Sequence, residues 1–509
     1  MTPRPNLTRL AATGLLAILI TLLTLHTVAV GIDFAAAIRY PLQLNYGEGI
    51  VWQQGVLIPG PQMYQATRTL PFIVFHYPPV YYLLVRAALL LQPDYLAAGR
   101  TVAALSAIAL PPLIAALILA ATRQRAFPNT PPRTMALAAS AGLAVLCLHA
   151  VHSWGTVVRV DMPGFALALA GLLVATRADG RFWGTTLALL LCAAAVFTKQ
   201  TLIPAGAAVF VIAVLRRPAP ALAAAAIAAL ASLATVAWLQ HATDGGFLQN
   251  VVGGNLNRLS ALQAARTILY ERQSLPIMAV MAAAALWTLH TLLPSLHRAR
   301  LAAALAETWS LRNADPAAAA RAMLLLYFAL ATVFLFTLFK IGGWTNYLID
   351  WLCAGGVLMG IMLVDLDRRP NAHPALAAAL ILILLGVQLS PLRTVPDAPE
   401  PAALAGQRRA VALIRAASAP VASEDMTLIM QAGKQVTFEP SIVTELASVG
   451  SWDETPLVQM IRTNAFAFIL SSSGPEWFIE RRTPAVSAAI REAYPNVEQL
   501  GPDIWIRRK

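Results

Sequence analysis

The sequence predicts an α-helical polytopic membrane protein with a small C-terminal α/β domain outside the membrane, and three observations carry that prediction. Hydrophobic residues make up 58% of the chain and charged residues only 12%, against roughly 25% charged in an ordinary soluble domain. Apolar runs recur between residues 10 and 389, many of them near the ~20 residues that a helix needs to cross a bilayer core. From residue 393 onward the pattern changes to shorter, mixed stretches.

The first apolar run, 10–31, follows Arg4 and Arg9. It exceeds the ~7–15 residues of a secretory signal core, so it reads as an uncleaved anchor. Further candidate spans are 101–122, 135–151, 162–176, 185–197, 202–215, 219–239, 275–293, 323–339, 347–364 and 374–389. Together they make about eleven transmembrane helices, several of which need flanking residues or a thinner local bilayer to cross. Cys147, Cys192 and Cys353 all fall within apolar runs, with no redox or metal spacing between them.

A net charge of +12 would suit a nucleic-acid partner. The basic residues, however, sit in short clusters between apolar runs, which is the pattern of topology signals rather than of one basic face. The clusters are Arg4/Arg9, Arg123/Arg125/Arg133, Arg177/Arg181, Arg216/Arg217, Arg298/Arg300/Arg312 and Arg368/Arg369. They fall on alternate loops, so an N-terminus inside places them all inside, provided that 78–91 lies along the outer interface instead of spanning. The outer segments are then 32–100, 152–161, 198–201, 241–273, 340–346 and 393–509. Pairing 185–197 with 202–215 as one re-entrant hairpin leaves the other sides unchanged. The chain thus divides into a transmembrane domain, 1–392, in a cytoplasmic (inner) membrane and an extracytoplasmic α/β domain, 393–509. Within the latter, 407–417 and 484–493 read as helices and 466–470 and 503–506 as strands. It has no Gly-rich nucleotide loop and no metal cluster, so binding or positioning is expected of it.

The outer segments carry the candidate chemistry. Glu48 lies between Gly47 and Gly49, where backbone freedom lets a carboxylate approach a ligand; the alternative is a solvated loop glutamate. His76 and Tyr77 precede Pro78-Pro79, which open a helix whose Tyr81, Tyr82 and Arg86 suit the headgroup level. Arg159 and Asp161 border an apolar run, where ionisable groups are costly unless paired or facing a watery cavity. Lys199, beside Gln200, either holds a phosphate as a point charge or snorkels to the interface. Asn346 and Tyr347 face the same side, and Asp350 one turn further needs a partner. His76, His149 and His152 leave a divalent metal conceivable, but their spacing matches no ligand motif, and no cofactor is expected. Neither an internal repeat nor an inverted pair of broken hydrophobic segments supports a secondary transporter.

Taken together, Gly47-Glu48, Gly60 through Tyr64, Tyr77-Pro78-Pro79, Arg159-Val160-Asp161, the Phe197–Thr201 stretch and Gly343–Tyr347 resemble the motifs of GT-C membrane glycosyltransferases. The nearest branch holds the bacterial aminoarabinose-to-lipid-A transferases and protein O-mannosyltransferases. The resemblance covers 10–365 and departs at Gly47, where that branch commonly has Asp, with Asp33 a less suitable substitute. It implies a polyprenyl-phosphate sugar donor, an acceptor among envelope glycans, lipids or proteins, no nucleic acid, and inverting displacement. Glu48 would then accept the acceptor proton and Asp161 would orient the acceptor or stabilise charge on the sugar, both as catalytic residues. Arg159 and Lys199 would hold the leaving phosphate, with Gln200, His76, Tyr77, Asn346 and Tyr347 binding substrate. A transporter or flippase, and a receptor or scaffold built on the C-terminal domain, are the rival readings.

Overall fold

The computed structural model describes residues 7–67, 70–123, 130–297, 315–369, 374–388, 393–396, 399–472 and 474–509. Its helices up to residue 297 are α1 (Leu7–Arg39), α2 (Tyr46–Leu57), α3 (Val80–Ala88), α4 (Tyr95–Thr122), α5 (Pro132–Leu146), α6 (His149–Gly155), α7 (Asp161–Ala178), α8 (Phe182–Val196), α9 (Ile203–Arg216), α10 (Pro218–Ala242), α11 (Gly246–Val251), α12 (Ala261–Tyr270) and α13 (Leu275–His297). Helices Pro316–Phe334, Ile349–Arg368 and Pro374–Gln388 complete the bundle.

Each run expected to span is helical. Seven helices among the described residues are long and apolar enough to cross a bilayer, or eight if α5 and α6, bent by 66° against each other, count as one. The other three expected spans are α8, α9 and Pro374–Gln388, of 15, 14 and 15 residues. At 1.5 Å per residue these rise only about 21–23 Å, short of a hydrocarbon core of ~30 Å. Segment 78–91 does not span: α3 has nine residues, with Tyr81, Tyr82 and Val85 buried and Leu83, Leu84, Leu90 and Leu91 exposed.

One core joins α1, α4, α5, α7 and Ile349–Arg368, whose faces are almost wholly enclosed. Close backbone approach supplies the packing where side chains are small. A Cβ added at Gly142 of α5, for example, would meet the Pro111 Cα of α4 at 2.9 Å.

Arg133, Arg216 and Arg368 from the basic clusters gather, with Arg321, at one end of this bundle. Arg321 makes a two-pronged ion pair with Asp365, at 2.6 Å for each contact, and reaches the Ala121 carbonyl. Arg133 lies 2.7 Å from Asp367, Arg368 reaches the Thr122 carbonyl, and Arg216 pairs with Asp179. Arg4, Arg125, Arg298, Arg300 and Arg312 lie outside the described residues.

At the opposite end, residues 40–95 form an aromatic-rich cap with its own core around Tyr64, Phe75, Tyr81, Tyr82 and Tyr95. The C-terminal domain docks on this cap. Its sheet runs β1 (Ala422–Ser423), β2 (Ile469–Ser471), β4 (Ile504–Arg508), β3 (Asn496–Gly501), parallel between β1 and β2 and antiparallel elsewhere. The expected helices are Pro401–Ala416 and Pro484–Ala493, and the expected strands are β2 and β4. β1, β3 and helices Met426–Gln431, Pro440–Ser448, Thr455–Arg462 and Trp477–Glu480 are additional to the expected elements. Cap and domain meet where the Phe72 amide donates to the Thr437 carbonyl at 2.8 Å and Trp452 Nε1 donates to the Thr67 carbonyl at 2.9 Å.

Candidate active site

Asn45, Gly47, Glu48 and Gly49 build a helix start rather than a ligand loop. The Asn45 side chain accepts from the Gly47 amide at 2.9 Å while Glu48 reaches back to the Asn45 amide, closing a capping box at the start of α2. The two glycines serve close approach. A Cβ at Gly47 would collide with the Arg159 guanidinium, and one at Gly49 would stand 3.0 Å from Met426 Cβ of the C-terminal domain. Arg159 thus occupies the space that a side chain at position 47 would need.

Glu48 is fully buried and its oxygens are engaged on every side. Oε1 accepts from Arg100 Nε at 2.8 Å and the Val158 amide at 3.0 Å; Oε2 accepts from Arg100 Nη2 at 2.8 Å and the Leu44 amide at 2.7 Å. Arg100, in the second turn of α4, also donates to the carbonyls of Ala37, Tyr40 and Leu42. Glu48 is therefore not open to the cavity described next, contrary to what its place between two glycines suggested.

That cavity, of about 330 Å³, lies between the bundle end, the cap and the C-terminal domain, within the ~300–1,000 Å³ usual for ligand sites. His76, Tyr77, Arg159, Asn346 and Tyr347, all singled out from the sequence, line it. So do Lys340, Asn255, Glu439 and Arg481, which it did not single out.

Asp161 and Lys199 stand directly behind this wall. Asp161, the first residue of α7, accepts from Lys199 Nζ at 2.6 Å and Asn346 Nδ2 at 2.9 Å. Its other oxygen, Oδ2, is buried without a hydrogen bond, 3.9 Å from Arg159 Nε. Lys199 follows the last turn of α8, with its Nζ 4.2 Å from the Tyr347 ring centre. The 3₁₀ turn Thr345–Tyr347 is fixed by Trp154 Nε1, which donates to Thr345 Oγ1 at 2.7 Å.

Gln200 does not face the cavity, because its amide donates to the carbonyls of His76 and Val251, tying two loops together. Asp33 is likewise elsewhere, 2.8 Å from His152 Nε2 and accepting from Thr394 at 2.7 Å. His149 pairs with Glu271, and His76 Nδ1 lies 3.2 Å from Gln54 Nε2. The three histidines share no site, and among the described residues no three metal-ligating side chains gather. Asp350 finds its partner in the Tyr327 hydroxyl.

The site's electrostatics favour an anion. Burial, with the Lys340 and Arg159 charges beside it, pushes His76 down to about 3, so its imidazole is neutral at physiological pH. Burial, reinforced by the Lys199 charge, lowers the Lys340 ammonium to about 8. Lys340 donates to Asn255 Oδ1 at 2.9 Å. Arg159 and Lys340 thus place two cations beside His76 on the cavity wall, where charge-assisted hydrogen bonds to a phosphate can form.

Two outcomes are expected. Glu48→Gln leaves Arg100 buried without its counter-charge, which costs about 3–5 kcal/mol and is read as a lower unfolding temperature in detergent. Unchanged stability with lost turnover would instead return Glu48 to the chemistry. Lys340 is cationic below its lowered value and neutral above it, so affinity for an anionic phosphate ligand should fall as pH rises through about 8. Lys340→Arg, which stays charged, should abolish that break; a break persisting in the arginine variant would assign it to another group.

No family model and no curated protein sequence matches the chain. Two solved structures do match it along nearly its whole length. The crystal structure of ArnT from Cupriavidus metallidurans in the apo state superposes with a TM-score of 0.56 at 13% identity, covering 97% of this chain and 98% of that one. The same protein bound to undecaprenyl phosphate gives 0.54 at 12% identity, covering 96% and 98%. At such identities the likeness speaks to fold. This chain is a multi-pass membrane protein with an ArnT-like fold.

Proposed function

We propose that the protein transfers a sugar from a polyprenyl-phosphate donor to an acceptor hydroxyl on the outer face of a cytoplasmic membrane. The observation that carries this reading is the cation-lined cavity of Arg159 and Lys340, backed by the buried Asp161–Lys199 pair. It opens at the end of the bundle opposite the described basic clusters, which favours an outward-facing site and C-terminal domain. The neighbouring fold is also known with undecaprenyl phosphate bound, a ligand of the chemistry that such a cavity suits.

A donor of this kind is a phosphodiester with one negative charge. Breaking its bond to the anomeric carbon leaves a phosphate monoester with a second charge, so cations that meet the leaving oxygen stabilise the transition state more than the ground state. Arg159 and Lys340 are placed for that role, with the Asp161–Lys199 pair behind them. When a phosphate engages Arg159, the unpartnered Oδ2 of Asp161 becomes available to orient the acceptor or to offset positive charge growing on the sugar. Glu48 acts through Arg100 and the Val158 amide, as a positioning residue for the loop that carries Arg159. The C-terminal domain contributes a wall through Glu439, Ser441 and Arg481.

Full-length protein in proteoliposomes, given radiolabelled undecaprenyl-phosphate sugars and an envelope extract, should move label to a new product. Asp161→Asn should slow this by about 10²–10³-fold with its unfolding temperature recorded alongside to separate chemistry from folding. Label that changes leaflet without changing its chemical bond would favour a flippase instead.

A further inference from the structure

A second, smaller cavity of about 190 Å³ adjoins the first, sharing Asn45, Trp154 and Trp344 with it. Its wall includes His149 and Tyr270. His149 Nδ1 lies 2.8 Å from Glu271 Oε1. Glu271 is only 1% exposed, and its second oxygen accepts from Ser274 Oγ at 3.2 Å. A buried carboxylate fixed in this way holds an imidazole in one tautomer and one orientation: Nδ1–H is donated to the carboxylate, and Nε2 keeps its lone pair. Nothing in the transfer chemistry derived above uses this pair, and with Glu48 fully engaged the reaction still needs a group that takes the acceptor proton.

The rings around the pair indicate what the cavity accepts. Tyr270 lies 5.5 Å from His149 and 5.0 Å from Trp344, centre to centre. Aromatic side chains offer a flat apolar face and a polar edge, the complement of a saccharide ring with C–H groups on its faces and hydroxyls on its rim. The groups able to titrate or carry charge around His149 are Glu271 and Tyr270 from the end of α12, His152 one turn along on Asp33, and Arg159 beyond Trp154.

We infer that this cavity is the acceptor subsite, that it takes a saccharide hydroxyl, and that His149 is the catalytic base, with Glu271 as its positioning residue. The inference rests on the proposed sugar transfer. The acceptor oxygen forms a bond to the anomeric carbon as the bond from that carbon to the phosphate oxygen breaks. The bonding pair leaves with the phosphate, and the hydroxyl proton passes to His149 Nε2. The new charge on the phosphate is met by Arg159 and Lys340, and the imidazolium by Glu271.

The test uses full-length protein in proteoliposomes, radiolabelled undecaprenyl-phosphate sugars and an envelope extract as the source of acceptor. His149→Gln should lower the transfer rate about 10²–10⁴-fold and leave binding of undecaprenyl phosphate unchanged. Glu271→Gln removes the carboxylate that orients the imidazole and should lower the transfer rate at an unchanged unfolding temperature, while Glu271→Asp, which keeps a carboxylate for Nδ1–H, restores part of the rate, a rescue that a merely structural role would not give. Near-normal transfer by His149→Gln or by Glu271→Gln overturns the assignment while the sugar-transfer reading stands. Wild-type protein that transfers no label from any donor overturns that reading, and this assignment with it.

Discussion

A carboxylate and a guanidinium, both removed from water, hold the functional end of this molecule together. Such a pair is costly to bury unless the remaining hydrogen-bonding capacity of both groups is used. Here it is used: Arg100 spends its donors on Glu48 and on three carbonyls that follow or end α1, and Glu48 binds amides at 44 and 158 besides. Three stretches far apart in sequence, the exit of α1, the second turn of α4 and the approach to α7, are thereby fixed to one another. The last of these carries Arg159 and Asp161, so the placement of the reactive wall depends on a pair that does not itself reach the cavity.

The rest of the site follows from how charge is distributed behind that frame. Asp161 neutralises Lys199 and anchors Asn346, yet keeps one oxygen uncommitted. The cations that face the cavity are therefore organised before any ligand arrives, as electrostatic catalysis requires. Gly47 belongs to the same design. With no side chain at position 47, the Arg159 guanidinium has room against the start of α2.

Much of this was legible in the sequence, for identifiable reasons. Spanning helices announce themselves through uninterrupted apolar length, and Arg159, Asp161, Lys199 and Asn346 stood out because polar groups at the ends of such helices need partners or purpose. Their mutual contact was not encoded in any local pattern. The burial of Glu48 was not legible, since its partner Arg100 lies 52 positions away and sits where loop and span merge, giving no periodic signal. Lys340 and Asn255 meet only through tertiary folding, and Glu439 enters the cavity because the C-terminal domain folds back onto the cap. Within that domain β1 has two residues and β3 is mostly exposed, so neither presents the alternation that marks a half-buried strand. The bend between α5 and α6 likewise hid inside one apolar run, and with it the turn that presents His149.

The proposed function places an anionic lipid phosphate among Arg159, Lys340 and Tyr77, at the end of the bundle away from Arg133 and Arg321. Photo-crosslinking with an undecaprenyl phosphate that carries a photoreactive group near its phosphate, followed by peptide mapping, addresses this most directly. The account predicts adducts within 76–77, 154–159 and 340–347, competed away by unmodified undecaprenyl phosphate. Competed adducts confined to the Arg133 and Arg321 end would contradict it.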